Sequence, residues 1–527
     1  MLKRIAAVLF FLAVTCAAVT PIRSYDYFWH LAAGRWIVEH HAVPSADPLA
    51  VASSKDEWIN GEWLYESALH AIQKAVGDPG ISIVNGLLIA AIFTAGFWFR
   101  RSREDADSSP DPDPASTGAS LVVAAIAFVG ASDRLGVRPS TAAALLLVIA
   151  LALLQSRLSL RSLLLGYALL TAVWMNVHPS ALLAPFLALT TVVIARERLW
   201  VALASGAALL VNPFGWKAIE APIRLTALIR SQEFVNAEWL PSPVAIFPLL
   251  YCTIVIAALW FVIADRHRDS LWRIAIFFVL ALLAIRAVRN QGLYFAALPL
   301  LVPQLRLRGR MLASALAAGA LLVVTVVFVH QDHQPGVDAE RFPLAAVKAL
   351  AALHLPGNIY NVDQFGGLLE WTFYPQRRAL TDGRNELFRE FIAEDARAHH
   401  DSRAWRALQQ RYAVALAVDE YQSDRIEVMD VASGQRRSLP ASQVRYRRRD
   451  WALLAFDDAA MVFARRSAFP AATIAAHEYR YLVPDDPAQP YSSAEARAGA
   501  VAEIQRARRE IGSSAVLAAL EKTALAN

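Results

Sequence analysis

Asp26 and His30 stand four residues apart in the stretch 24–48, SYDYFWHLAAGRWIVEHHAVPSADP. On a helix this spacing lets both side chains face one cavity. A carboxylate beside a dry, lipid-adjacent cleft can act as a general base or hold a divalent metal such as Mg or Mn. The plainer role for Asp26 is to cap the start of an interfacial helix. Tyr25, Tyr27, Phe28 and Trp29 crowd the same point, as expected where a chain leaves lipid for the headgroup region. Glu62 lies further on, between the indoles of Trp58 and Trp63. It is a candidate second carboxylate or metal ligand, or else a solvated surface acid.

A second set of candidates is cationic. Asp133, Arg134 and Arg138-Pro139 fall in one short segment between apolar runs, and Arg286 and Arg289 fall in another. A guanidinium grips phosphate with paired donors, so Arg138 and Arg289, followed by Arg134 and Arg286, are candidate phosphate ligands. Lipid headgroups or Asp133 would serve them equally well. Asn176 and His178 place polar groups at the edge of an apolar run, where such residues are functional by default, although a helix cap also explains Asn176. Asn212-Pro213-Phe214-Gly215 reads as a turn. Glu238-Trp239 is a candidate lining of the same vestibule.

The elements that must position these residues are read from the apolar pattern. Of 527 residues, 56% are hydrophobic and 18% charged, and the mean hydropathy is +0.36. The apolar excess lies before His330, which implies membrane spans rather than one large soluble core. Apolar runs cover 5–19, 81–99, 119–131, 141–154, 163–174, 181–195, 199–211, 244–264, 271–285, 293–305 and 311–329, about eleven spans. The first, after Lys3 and Arg4, reads as a retained span rather than a cleaved signal. The expectation is a polytopic α-helical membrane protein with a C-terminal extracytoplasmic α/β domain.

Orientation follows from the basic loops. With the N-terminus inside, the inner loops carry Lys3/Arg4, Arg100/Arg101/Arg103, Arg157/Arg161, Arg196/Arg198, Arg266/Arg268/Arg273 and Arg306/Arg308/Arg310. All are basic, as the positive-inside rule requires, and the alternation puts Asp26 and the C-terminus outside. Arg134, Arg138, Arg286 and Arg289 are then on the face where arginine is disfavoured, so an anion should offset them. The 100–117 loop, RRSREDADSSPDPDPAST, reads as a disordered connector.

The expected domains are a transmembrane part, 1–330, with a long first outer loop, 24–79; an outer α/β domain, 331–470; and a linker with a helical tail, 471–527. Within the α/β part, IYNVDQFGGLLEWTF, RRALTDGR, YAVALAVD and WALLAFDDAAMVFARR alternate with helical stretches. Gly366-Gly367 and Asp382-Gly383-Arg384 read as turns at strand ends, with ligand binding as the alternative. The two cysteines, Cys16 and Cys252, lie in separate apolar runs and build neither a disulfide framework nor a metal site. The formal charge of +5 comes largely from loop arginines. No P-loop, GxSxG or HExxH motif is present, and nothing resembles a nucleic-acid module.

Asp26-Tyr27-Phe28-Trp29-His30-Leu31-Ala32-Ala33-Gly34-Arg35-Trp36-Ile37 followed by Val43-Pro44-Ser45-Ala46-Asp47-Pro48 resembles the start of a group of bacterial membrane proteins similar to the GT-C glycosyltransferase superfamily. Arg138-Pro139, Asn176, His178, Asn212-Pro213-Phe214-Gly215, Glu238-Trp239, Gly366-Gly367 and Asp382-Gly383-Arg384 extend the resemblance to about Arg466. It implies a multi-span enzyme of the bacterial cytoplasmic membrane that takes a sugar from a polyprenyl-phosphate carrier. The acceptor, a glycan, lipid or protein, lies on the outer, periplasmic side. It also implies an acid in the first outer loop, a position that Asp26 fits. The family often pairs that acid with another, whereas here Asp26 stands between two tyrosines.

The leading expectation is therefore transfer with Asp26 as base, His30 and Glu62 assisting, and Arg138 and Arg289 on the phosphate. The rival is a non-catalytic membrane protein that binds or moves a lipid-linked glycan, or scaffolds envelope assembly, with the same arginines.

Overall fold

The computed structural model describes residues 2–54, 57–104, 114–230, 237–264, 271–303, 309–421, 424–429, 434 and 436–525. The middle of the expected connector, 105–113, lies outside them, as do Asp56, Arg266, Arg268, Arg306 and Arg308. The chain divides into two compact units. One comprises Met1–Ser24, Ile37–Val43 and Ile59–Val337, the other Tyr25–Trp36, Pro44–Trp58 and Asp338–Asn527.

The first unit is helical. Among the described residues three helices are long and apolar enough to cross a membrane, Trp63–Ala95, Ser116–Arg134 and Met311–His330. Shorter apolar helices occupy Ile5–Ala18, Pro139–Gln155, Leu160–Met175, Pro179–Val193 and Pro248–Ile263. Their inner faces are rich in alanine: Ala125, Ala127, Ala143, Ala144 and Ala150 are fully buried. Small residues let helix backbones approach closely where burial from water cannot drive association. The outer faces are apolar too, with Val262 74% and Leu169 67% exposed. A surface of that kind is suited to hydrocarbon rather than water, and the chain is an integral membrane protein.

The expected first outer loop contains more helix than its sequence suggested. One helix covers Asp26–His40, and another begins at Trp63 and runs to Glu104 with a break at Gly77, whose φ is 68°. Pro79 follows, and its ring and missing N–H oppose a continuous ladder there. The first turns of that helix precede the apolar run at 81–99, and so look like loop to a hydropathy reading.

The second unit carries a mixed four-stranded sheet in the order β1(Asn358–Asn361), β2(Val414–Glu420), β6(Ala460–Arg465), β5(Trp451–Phe456). β1 and β2 are parallel; β2–β6 and β6–β5 are antiparallel. The exposed hairpin β3(Arg425–Met429)–β4(Arg436–Pro440) stands apart as its own small sheet. Helices Asp363–Phe373, Arg389–His400 and Ser402–Arg411 form the crossover that a parallel pair needs. β2 is buried from Val414 to Asp419, which explains its unbroken apolar run. Aromatic rings fill the core, with Tyr446 stacked on Phe463 at 4.2 Å. Helices Ala494–Ile511 and Ala515–Leu525 add Ala500, Ile504, Leu517 and Leu520 to that core, and Tyr479 and Leu482 from the 471–490 stretch are buried in it as well.

Two readings of this region change. Gly366-Gly367 is not a turn: it lies inside helix Asp363–Phe373. A Cβ at Gly366 would stand 1.8 Å from the Thr381 carbonyl oxygen, and one at Gly367 would stand 2.6 Å from the Trp29 nitrogen. The pair lets two backbones touch the helix. The RRALTDGR stretch forms only a single bridge, Ile359 with Ala379, rather than a strand.

Candidate functional site

Arg138 immediately precedes helix Pro139–Gln155 and has extended backbone, φ −147° and ψ 154°. Proline at the first helical position suits the helix start and forces the residue before it out of the helical region. The side chain therefore leaves the helix end, and its Nε donates to Ser24 Oγ at 2.9 Å. Its Nη1 donates to Glu238 Oε1 in an ion pair.

Glu238 sits in the 3₁₀ turn Ala237–Trp239. Backbone bonds pin the chain after this turn to the segment holding Arg289: Val288 N to Leu240 O at 3.0 Å and Ser242 N to Ile285 O at 2.9 Å. Arg289 lays its guanidinium over the Trp239 ring, 4.5 Å from the centroid, a favourable cation–π arrangement. Arg134, in turn Ser132–Arg134, lies 5.9 Å from the Phe247 centroid. Burial would push the Glu238 carboxyl up. The Arg138 charge and hydrogen bond, with the charges of Arg289 and Arg134, outweigh it and hold the carboxyl below its ordinary range. Three arginines thus act on one carboxylate. Arg286 is exposed in the last turn of helix Leu271–Arg286, where a cation complements the helix dipole.

Asn176 is a strut. Its Nδ2 donates to Ala172 O at 2.7 Å and Val211 O at 2.8 Å, while its Oδ1 accepts from Trp63 Nε1 at 2.6 Å. It caps helix Leu160–Met175 and ties it to two other segments. His178 caps the turn Pro179–Leu182 by accepting from Ser180 N at 3.1 Å. Its other ring nitrogen, Nε2, lies 3.9 Å from Glu62 Oε1, so two of the candidates form a pair of their own.

In the second unit Asp26 opens helix Asp26–His40. It is half-buried and accepts from Trp29 Nε1 at 3.2 Å. His30 is buried, its ring 3.6 Å from that of Trp29. The Asp382-Gly383-Arg384 loop passes directly beside Asp26, for a Cβ on Gly383 would lie 3.0 Å from Asp26 Oδ1.

Arg384, the last residue of that loop, is the centre of a buried ion cluster absent from the sequence reading. It pairs with Asp382, with Asp47 at 3.2 Å and with Glu370 at 3.8 Å, all buried. Its guanidinium also faces the rings of Trp58 at 4.5 Å and Trp29 at 5.3 Å. Burial, and then the neighbouring Asp382 charge, push the Glu370 carboxyl well up despite Arg384. For Asp382, burial acts upward but Arg384 wins and holds it down. Glu370 is the member whose surroundings favour the neutral form. Among the described residues no group of three or more His, Cys, Asp and Glu is placed to hold a metal ion. This carboxylate cluster is filled by a guanidinium instead.

No family model matches the chain, and no curated protein matches its sequence. Solved structures do match. The oligosaccharyltransferase of Archaeoglobus fulgidus, tethered by a disulfide to an acceptor peptide with the NVT sequon, aligns with a TM-score of 0.53 at 10% identity, covering 83% of this chain and 74% of that one. ArnT from Cupriavidus metallidurans, bound to undecaprenyl phosphate, aligns with a TM-score of 0.46 at 14% identity over 89% of this chain and 98% of that one. The first of these likenesses carries the conclusion, which is one of fold: the chain is similar in fold to that membrane oligosaccharyltransferase.

Proposed function

We propose that this protein is a membrane glycosyltransferase that moves a sugar from a polyprenyl-phosphate donor to an envelope acceptor on the outer face of the bacterial cytoplasmic membrane. In this reading about eleven segments span the bilayer, with the N-terminus inside and the C-terminal α/β part, beginning near residue 331, outside. The observation that carries it is the Arg138–Glu238 ion pair, with Arg289 laid over the adjoining Trp239 ring. Such a cluster is an anion-binding arrangement in a fold shared with glycosyl-transferring membrane enzymes.

The chemistry asked of it is simple. The bond between the sugar C1 and the phosphate oxygen breaks, and that oxygen stays on phosphorus. The acceptor oxygen bonds to C1, and its proton passes to Asp26. The arginines stabilise the charge that grows on the leaving phosphate. His30 and Glu62 assist the base, with His178 paired to Glu62.

The test is sugar transfer by the full chain in lipid nanodiscs. Asp26→Asn is expected to lower kcat by about 10²–10⁴-fold, the usual worth of a general base, with donor binding intact. Unchanged transfer in that variant would remove Asp26 as the base, and no transfer by the wild type, with donor binding lost in Arg138→Ala, would instead indicate a carrier of lipid-linked glycan.

A further inference from the structure

Glu238 stands where a phosphate is expected to bind. Its carboxylate accepts from Arg138, and Arg289 and Arg134 act on it as well. Arg289 covers the indole of Trp239, the next residue, so the acid and one cation are tied to the same small junction. The Glu238 side chain is 36% exposed and that of Arg138 34%. A ligand arriving from outside reaches both. A carboxylate also presents to a guanidinium the same kind of charged oxygens that a phosphate does.

The charge count gives this acid a purpose. Arg134, Arg138, Arg289 and Glu238 together carry two positive charges. The glycosyl donor is a phosphodiester with one negative charge. The leaving group is a phosphate monoester, with close to two at neutral pH. Arginines alone would therefore hold the product harder than the donor, and product release often limits turnover.

We propose that Glu238 is the resident counter-ion of the anion site, holding Arg138 when the site is empty and weakening its grip on the monoester that must leave. This rests on the phosphate reading above. Glu238 is a specificity-determining residue in this account. It acts through the arginines and touches no reacting bond.

The experiment measures binding of a polyprenyl monophosphate and of its glycosyl phosphodiester to the full chain in nanodiscs. The proteins are wild type, Glu238→Gln, Glu238→Asp and Arg138→Ala. Removing the carboxylate charge is expected to tighten binding roughly fivefold per unit of ligand charge. Glu238→Gln therefore raises the preference for monoester over diester by roughly fivefold, and lowers KM and kcat together in transfer. Glu238→Asp keeps the charge and the wild-type preference. If Arg138→Ala abolishes binding while Glu238→Gln leaves the preference unchanged or weakens both ligands, the counter-ion role is overturned and the phosphate site stands. If wild type binds neither lipid and Arg138→Ala changes nothing, the phosphate reading falls and takes this inference with it.

Discussion

At the scale of single residues, Arg134, Arg138, Arg286 and Arg289 stand out because, in the expected orientation, they oppose the positive-inside tendency. Arginine on the side opposed to the positive-inside tendency needs an anion, and Arg138 has one in Glu238. Its geometry makes a specific demand: Nε serves Ser24 while Nη1 serves Glu238. Lysine offers a point charge without that fork. Arg138→Lys is expected to weaken monophosphate binding by about tenfold or more, measured by lipid-binding titration. The buried Arg384 cluster could not be read in this way. Asp47 is far in the chain from Glu370, Asp382 and Arg384, and no spacing rule brings it to that guanidinium.

That cluster gives a pH prediction. Glu370 has a carboxyl pushed up by burial and by Asp382, which favours its neutral form in the fold. A group whose pKa is raised on folding contributes stability below its unfolded pKa and loses it as pH rises through the folded value. Stability of the second unit should therefore fall toward alkaline pH. Glu370→Gln keeps a neutral side chain of the same shape and should flatten that fall. Thermal melts from acidic through alkaline pH, beginning below the ordinary carboxyl range, would check this. A variant that shows the wild-type alkaline loss would exclude Glu370 as its source.

At the scale of elements, periodicity served well for the helices at 389–411 and for the hairpin of β5 and β6, where long patterned stretches agree with the packing. It failed at Gly366-Gly367, because a glycine pair is ordinarily turn chemistry, and only the approach of Thr381 and Trp29 reveals its use. Gly366→Ala would force a Cβ against a carbonyl oxygen, a contact that backbone must move to relieve. A cost of about 2–4 kcal/mol is expected, as for strongly overpacked positions, seen as a lower unfolding temperature. A neutral effect would mean that the helix and the Thr381 segment do not meet as described. Gly383→Ala tests a different point. Its Cβ meets the flexible Asp26 carboxylate rather than backbone, so transfer should suffer more than stability.

At the scale of the whole molecule, fold class was readable because a lipid-facing surface and a soluble core have different compositions. Exposed apolar side chains such as Val262 and Leu169 mark the first unit, and the alternation of strand and helix patterns marks the second. Orientation was read from basic loops alone. A C-terminal alkaline phosphatase fusion should therefore be active and a C-terminal green fluorescent protein dark, since the C-terminus is expected outside. The opposite pair of signals would turn Asp26 and the arginines to the cytoplasm and end the outer-face proposal.

The central claim is that Arg138, Arg289 and Arg134 form the site of a lipid-linked phosphate. Its most direct measurement is polyprenyl monophosphate affinity in nanodiscs free of other anionic lipids, for wild type and for Arg138→Ala with Arg289→Ala. The account predicts saturable binding that falls by about 10²-fold or more in the double variant, since each hydrogen bond to a charged group contributes about 1.5–3 kcal/mol. Equal affinity in both proteins would contradict it.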